Sequence, residues 1–397
     1  MKIAFVSPMI LPVSNVNGGA VEQLMLDIVR ENEKNYNFDI DLYSIYSENI
    51  ISDYKHTRVI QVNINFFDKI IQKANNFINK ILKRKRSYMS SIEKCIKLLN
   101  RHEYDKVIIE NNMFLYKRVY EKTKFKDKLY YHMHNDFNEC DKTHENYMFI
   151  ETTAQRIFTV SEYIKRRLME VKKSKKIFVL NNCIDYDLLS ENNIKSEKLQ
   201  EMILKNGLQE DDFVICYVGR VIKEKGILEL ITAFKRISMK YDNVKLLIVG
   251  SSWFADNYKK TDFEKELIKE TNEIQNKIIF TGYVKYTDII YYYKLANVCV
   301  IPSICNEAFG VVALEAMYYN IPIIATKAGA LPDILEDCAL YVNLENLEED
   351  IEDKIEVLIN NKNISEELRN KCKLRLNKQS FNKDRYFEEF CNYIKES

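Results

Sequence analysis

Short apolar runs alternate with helical patterns along nearly the whole chain of 397 residues, and this rhythm constrains the fold more than any other feature. A parallel strand buried on both faces reads as a continuous apolar stretch and needs a crossover, usually helical, to reach its neighbour. In the first half such runs fall at Lys2–Ser7, Phe38–Ser44, Lys106–Glu110, Lys128–His134, Arg156–Val160 and Ile177–Asn181. In the second half they fall at Phe213–Val218, Val244–Gly250, Lys277–Thr281, Val298–Pro302 and Pro322–Thr326. Two series imply two doubly wound α/β domains, one over residues 1–190 and one over 205–375, with the polar stretch Tyr186–Asp211 as the boundary. The tail from about Asn363 reads as surface helix, and within it residues 376–397 form a C-terminal helix for which a crossing back to the first domain is one outcome. Open α/β sheets bind ligands beyond the carboxyl ends of their strands, so a cleft between two such halves is the expected site.

Composition narrows the function classes. With 59 Lys plus Arg against 58 Asp plus Glu, the formal charge is +1, and a global electrostatic footprint for nucleic acid is absent. The nine cysteines form no CxxC pair, which fits a reduced compartment. Pro8 and Pro12 break the apolar start, so it reads as a buried strand rather than a signal peptide. No run of 18 apolar residues suggests a membrane span.

Two segments of the second half carry chemistry. The strand VICYVG is followed by Arg220, then Lys225-Gly226 and a helix with Ile227, Leu230, Ile231 and Phe234 as its apolar stripe. Free N–H groups at a helix start, the helix dipole and two cations all favour a diphosphate there. The pattern is neither GxGxxG nor a P-loop, and two solvated basic residues in a loop would look the same. Further on, Glu307 precedes a helix expected to begin near Phe309 or Gly310, and Glu315 lies within it. Eight helical residues rise about 12 Å, more than the roughly 5–9.5 Å between the carboxylates of glycoside hydrolases. Separate roles follow: Glu307, beside the N–H groups of Phe309, Gly310 and Val311, can contact a sugar ring, and Glu315 can accept hydroxyl protons from a ribose.

Taken in order, NGGAVE, HMHND near residue 134, NNCIDYD near residue 185, Arg220 with Lys225-Gly226, EAFGVVALEAM and the Gly329 loop resemble glycosyltransferase family 4, retaining enzymes of the two-Rossmann GT-B fold. The resemblance implies that Gly18 and Gly19 approach the donor phosphates and that Arg220 and Lys225 hold the diphosphate and neutralise the leaving group. It further implies that Glu307 and the backbone of Phe309, Gly310 and Val311 bind the transferred sugar, that Glu315 binds the ribose, and that His134 contacts the donor sugar and supports the transition state. A hexose-type sugar would pass from a nucleoside-diphosphate donor, UDP by family frequency, to a glycan or lipid-linked acceptor held by the first domain. Retention would proceed by front-face attack, the leaving phosphate taking the acceptor's proton. A catalytically silent partner of another transferase, or a nucleotide-sugar epimerase on the same fold, is the alternative; the joint presence of His134, Arg220, Lys225, Glu307 and Glu315 argues against silence.

No cofactor or metal is expected. His132, His134 and Asp136 could be taken for a metal site, but one strand and its exit supply all three. The DxD patterns at Asp39-Ile40-Asp41 and Asp185-Tyr186-Asp187 read as structural. After KLLIVG the chain has Ser251-Ser252 where the resembled family usually has a second glycine, and the late loop reads Ala328-Gly329-Ala330 where two glycines are commoner.

Residues 66–86, FFDKIIQKANNFINKILKRKR, place apolar side chains at helical spacing, with seven basic residues against Asp68 alone, a local charge of +6. Such a helix suits an anionic membrane surface, and a helix covering the first sheet would read the same way. The chain is therefore expected in the cytoplasm, with peripheral attachment to the inner face of the cell membrane as one outcome.

Overall fold

The computed structural model of the protein describes residues 1–14, 19–81, 89–137, 141–252 and 261–396. Gly18 and residues 82–86 of the basic segment lie outside the described residues. The chain divides into two compact units, Met1–Asn181 with Asp384–Ser397, and Asn182–Lys383.

The first unit is built on seven strands: β1 (Lys2–Val6), β2 (Asp39–Ile45), β3 (Thr57–Val62), β4 (Lys106–Glu110), β5 (Leu129–Met133), β6 (Arg156–Thr159) and β7 (Ile177–Val179). All pair in parallel in the order β3-β2-β1-β4-β5-β6-β7. The winding direction reverses between β1 and β4. Connections leaving these two strands diverge in opposite directions, which opens a crevice at their carboxyl ends.

The second unit repeats the plan with β8 (Phe213–Val218), β9 (Val244–Val249), β10 (Ile278–Gly282), β11 (Val298–Ile301), β12 (Ile323–Thr326) and β13 (Ala339–Val342), in the order β10-β9-β8-β11-β12-β13 and all parallel. Its switch point lies between β8 and β11. Helix Ile227–Lys240 lays Ile227, Leu230, Ile231, Phe234 and Ile237 into the core formed with Ile215, Leu246, Ile248 and Val300, so the expected apolar stripe is the packed face.

Several elements differ from the sequence expectation. β3 and β13 were not expected, and both are edge strands, where one partner replaces two and the continuous apolar run is lost. Residues 186–211 are not a linker. Asp185 caps helix Tyr186–Leu189, Lys198 pairs with Asp288 at 2.6 Å, and Met202 and Leu208 are buried within the second unit. The tail is not a surface helix either. Helix Lys362–Lys378 buries Leu368, Cys372 and Arg375 in the second unit. Helix Lys383–Lys395 belongs mainly to the first: Phe390 packs on Phe5 and Phe38 at centroid distances of 6.0 and 6.1 Å, and Lys106 donates to the Ile394 carbonyl at 2.6 Å.

Helix Phe66–Ile81 is tied to helix Ser90–Leu99, where Ser90 Oγ donates to the Asp68 carbonyl at 2.7 Å and Lys94 pairs with Asp68 at 2.5 Å. Its described apolar side chains do not cover the sheet. Phe66, Phe67 and Phe77 are 72%, 71% and 64% exposed, and Ile70 and Ile71 nearly half exposed. Among the described residues no helix is long and apolar enough to cross a membrane.

Candidate active site

In the second unit the chain leaves β8 through Gly219 and exposed Arg220, then makes a single turn, Lys223–Lys225, closed by Gly226 in the left-handed region at φ 68°. Gly226 is required for two reasons. The backbone conformation is one that L side chains rarely adopt, and a Cβ would lie 1.9 Å from the Pro302 carbonyl oxygen at the end of β11. The Glu224 carbonyl accepts from the N–H groups of Ile304 and Cys305 at 3.0 and 3.2 Å, so the loops after β8 and β11 are bonded to each other.

That contact brings Lys225 to Glu307. Lys225 Nζ lies 2.5 Å from Glu307 Oε1, and Ser303 Oγ donates to the same oxygen. The Glu307 backbone is gripped from behind, because Ala330 N–H donates to its carbonyl at 2.8 Å. A Cβ on Gly329 would sit 2.2 Å from that carbonyl oxygen and 2.5 Å from the Glu307 nitrogen. The late glycine loop thus acts as the backing plate of Glu307.

Helix Val311–Tyr318 begins one or two residues later than expected, after Gly310 at φ 98°. Glu307 is on the preceding loop, so the helical-rise calculation does not describe the two glutamates. Burial separates them instead: the Glu307 side chain is 14% exposed, whereas Glu315 is 3% exposed and accepts from Tyr293 at 2.6 Å and from Tyr286. Burial pushes the Glu315 carboxyl up to about 7, against the pull of the two tyrosine hydroxyls. In this structure Glu315 is therefore covered by its tyrosines rather than open to a ribose. The Phe309 side chain is core, edge-on to Phe381 at 6.3 Å, which leaves only its backbone for a ligand, as for Gly310 and Val311.

In the first unit, Gly19 opens helix Ala20–Lys34 and donates its N–H to Glu22 Oε2 at 3.0 Å. Glu22 is buried, and burial raises its carboxyl above the ordinary range. His134 follows β5 at the carboxyl edge, and its Nε2 lies 2.5 Å from Glu110 Oε2 at the end of β4. The same oxygen takes His132 Nδ1 at 3.1 Å. Asn111, at φ 45°, accepts the His134 N–H at 3.0 Å and donates to the His132 carbonyl at 2.8 Å. Asn112 caps helix Met113–Lys122 and donates to the Pro8 carbonyl beyond β1 at 2.8 Å, which fixes the switch-point crevice.

Burial opposes the charge on Glu110, but the two histidines outweigh it and pull the carboxyl down to about 2. Burial and His132 lower His134 to about 4 against the pull of Glu110, so His134 is neutral near pH 7. Glu22 and Glu110 are the functional-site candidates that sequence reasoning missed. Only the parallel register pairing Glu110 with His132 reveals the second. The anticipated trio is also corrected: Asp136 turns away to Tyr163 at 2.7 Å, and Glu110 replaces it. The ligand atoms of Glu110, His132 and His134 lie within 4.8 Å of one another, compact enough to surround a metal ion.

The DxD pairs have structural partners. Asp41 accepts from Arg58 at 2.9 Å and Tyr104 at 2.7 Å, and Asp185 caps a helix and pairs with Lys383 at 2.7 Å. Ser252 Oγ donates to the Val221 carbonyl at 2.5 Å, so the serines that replace a glycine brace the turn after β8.

Two doubly wound units with loops gathered at their switch points define the architecture, and solved structures share it. Over the whole of both chains, the structure superposes on an Anabaena protein, HepE, solved with UDP and glucose, at TM-score 0.75 and 18% identity. Residues 200–375 match the family model described as glycosyl transferases group 1. The chain has a GT-B fold and resembles the group 1 glycosyltransferases. Among curated relatives, the lipopolysaccharide 1,2-N-acetylglucosaminetransferase of Salmonella typhimurium is 26% identical over 231 residues, 58% of this chain and 57% of that protein. The capsular polysaccharide biosynthesis glycosyltransferase CapM of Staphylococcus aureus is 32% identical over 212 residues, 52% of each. The matches span about half the length of these curated relatives. The group 1 match covers the loops bearing Arg220, Lys225, Glu307 and Gly329, and the first-unit residues Gly19 and His134 lie outside it.

Proposed function

We propose that this GT-B chain is a retaining glycosyltransferase that moves a hexose-type sugar from a nucleoside-diphosphate donor, with UDP as the favoured nucleotide, to a glycan or lipid-linked acceptor in surface-polysaccharide synthesis. The observation that carries this reading is the Lys225–Glu307 pair, a cation and a carboxylate held at 2.5 Å by loops from two adjacent strands of one switch point. A diphosphate ester of a sugar presents an anion to the lysine and hydroxyl groups to the glutamate, so the donor exchanges one internal pair for two external ones. Arg220, Lys225 and the N–H groups after Glu307 then stabilise charge that grows on the leaving diphosphate. That charge is larger in the transition state than in the bound donor, which is what acceleration requires. The acceptor's proton passes to the departing phosphate oxygen as the acceptor attacks from the same face. His134 is assigned the donor-sugar contact, and no metal is assigned a step.

The exposed phenylalanines of helix Phe66–Ile81, together with the +6 charge of residues 66–86, support docking on an anionic membrane surface, which would place the enzyme on the cytoplasmic face beside a lipid-linked acceptor. Relatives named for lipopolysaccharide and capsule synthesis agree with that setting. A thermal-shift screen across UDP-, GDP-, ADP- and dTDP-sugars tests the donor reading, with stabilisation expected from the UDP-sugars. No shift from any donor would point to a catalytically silent partner. Proton NMR of the anomeric centre in the product tests retention.

A further inference from the structure

The buried cluster at the carboxyl ends of β4 and β5 has an order that a merely stabilising network would not need. Glu110 is 1% exposed, and one of its oxygens, Oε2, receives both His134 Nε2 at 2.5 Å and His132 Nδ1 at 3.1 Å. Its other oxygen, Oε1, and His132 Nε2 are sealed from solvent with no hydrogen-bond partner among the described residues. Buried polar atoms are nearly always satisfied, so two orphans in one cluster indicate that the arrangement serves something other than stability. Asn111, strained at φ 45°, adds a third constraint by holding the His134 backbone N–H at 3.0 Å.

An ionised carboxylate is an acceptor only, so the His134 nitrogen facing it must carry the proton. A neutral imidazole protonated at Nε2 is bare at Nδ1. The His134 side chain is 4% exposed, and the residue directly follows β5 at the strand's carboxyl edge, where an open α/β sheet meets its ligand. We infer that Glu110 is a positioning residue that locks His134 in the Nε2–H tautomer, so that the histidine offers the ligand an unprotonated Nδ1 acceptor. The catalytic consequence rests on the proposed donor-sugar role of His134. The ligand group that fits is a hydroxyl donating to Nδ1, and a carboxylate at the same position would meet a lone pair beside buried Glu110 and Glu22. In this tautomer His134 is an orienting acceptor, not a general acid.

The test is long-range ¹H–¹⁵N correlation on the full chain with ¹⁵N-labelled histidine, the His134 signals being assigned as those missing from His134→Asn. Between pH 6 and 8 the wild type should show a neutral ring protonated at Nε2. A ring protonated at Nδ1, an imidazolium at pH 7, or a paramagnetic or chemical-shift response to added Co²⁺ or Zn²⁺ showing a metal on these nitrogens would overturn the inference. Glu110→Gln should mix the two tautomers and lower kcat for UDP release from UDP-glucose at least tenfold with KM changed less than twofold. Unchanged tautomer and rate in a folded Glu110→Gln would also overturn it. If Glu110→Gln does not fold, the wild-type spectrum alone decides. If the wild type has no activity on UDP-glucose, the functional reading is at fault and the tautomer result still stands or falls by itself.

Discussion

Lys225 Nζ lies 2.5 Å from Glu307 Oε1, although 81 residues of intervening chain, including three strands of the same sheet, would have to fold correctly to bring their loops together, and the proposed ligand-binding role explains the pairing better than stability does. Partly exposed ion pairs contribute little to folding, typically less than about 1 kcal/mol. Lys225→Ala and Glu307→Ala should therefore unfold within a few degrees of the wild type. Each should lower turnover about a hundredfold or more, on the order of 3 kcal/mol of transition-state stabilisation. Thermal melts beside steady-state kinetics check both halves of the statement.

Gly329 should be replaceable only at a cost that another left-handed glycine does not incur. Gly329→Ala places a Cβ 2.2 Å from the Glu307 carbonyl at φ 61°, while Gly282→Ala at φ 70° meets nothing within 4 Å. The second variant carries only the backbone penalty, about 1 kcal/mol. The first must also displace Glu307, so its urea midpoint should fall further and its turnover should drop, whereas Gly282→Ala should keep wild-type turnover.

How much of this was legible in the chain depends on which contacts decide each feature. The central strands were readable because burial on both faces writes a continuous apolar stretch, as in the VII of KVIIE and the LLIV of VKLLIV. The Lys225-Gly226 turn and the Gly329 loop were readable because glycine is scarce, nine in the chain, and marks close backbone approach. Glu110 was not, since a glutamate ending a strand looks like a solvated terminus until the register sets it beside His132. Glu315 kept its place in the pattern but not its expected exposure, because the covering tyrosines, Tyr286 and Tyr293, come from a different segment. The helix Phe66–Ile81 has the same periodicity whether its apolar face is covered or open, and tertiary packing alone settles that.

Phe66→Ser with Phe67→Ser should leave the melting temperature unchanged, because the two side chains are 72% and 71% exposed. Liposome flotation should show the wild type rising with vesicles containing phosphatidylglycerol and less with phosphatidylcholine alone, and the double variant should remain at the bottom with both. Equal flotation of the double variant would remove this helix from the account.

Glu315 sets a pH signature. Its carboxyl is raised by burial from the ordinary 4.5 to about 7, so the folded state binds a proton that the unfolded state releases between those values. Stability from this group is fully present below pH 4.5 and is lost as pH rises to about 7, a change on the order of 3 kcal/mol. Glu315→Gln should flatten that part of the profile, measured as urea-unfolding free energy at pH 5, 6, 7 and 8. An unchanged slope would mean that Glu315 is ionised throughout.

The central claim is that this GT-B chain transfers a sugar from a nucleoside-diphosphate donor through the Lys225–Glu307 site. Nucleotide release from UDP-sugars, followed with and without a lipid-linked oligosaccharide acceptor for wild type, Lys225→Ala and Glu307→Ala, tests it most directly. The account predicts release that depends on acceptor in the wild type and is reduced about a hundredfold or more in both variants. Near-normal release by both variants, or none from the wild type with any nucleotide-sugar, would contradict it.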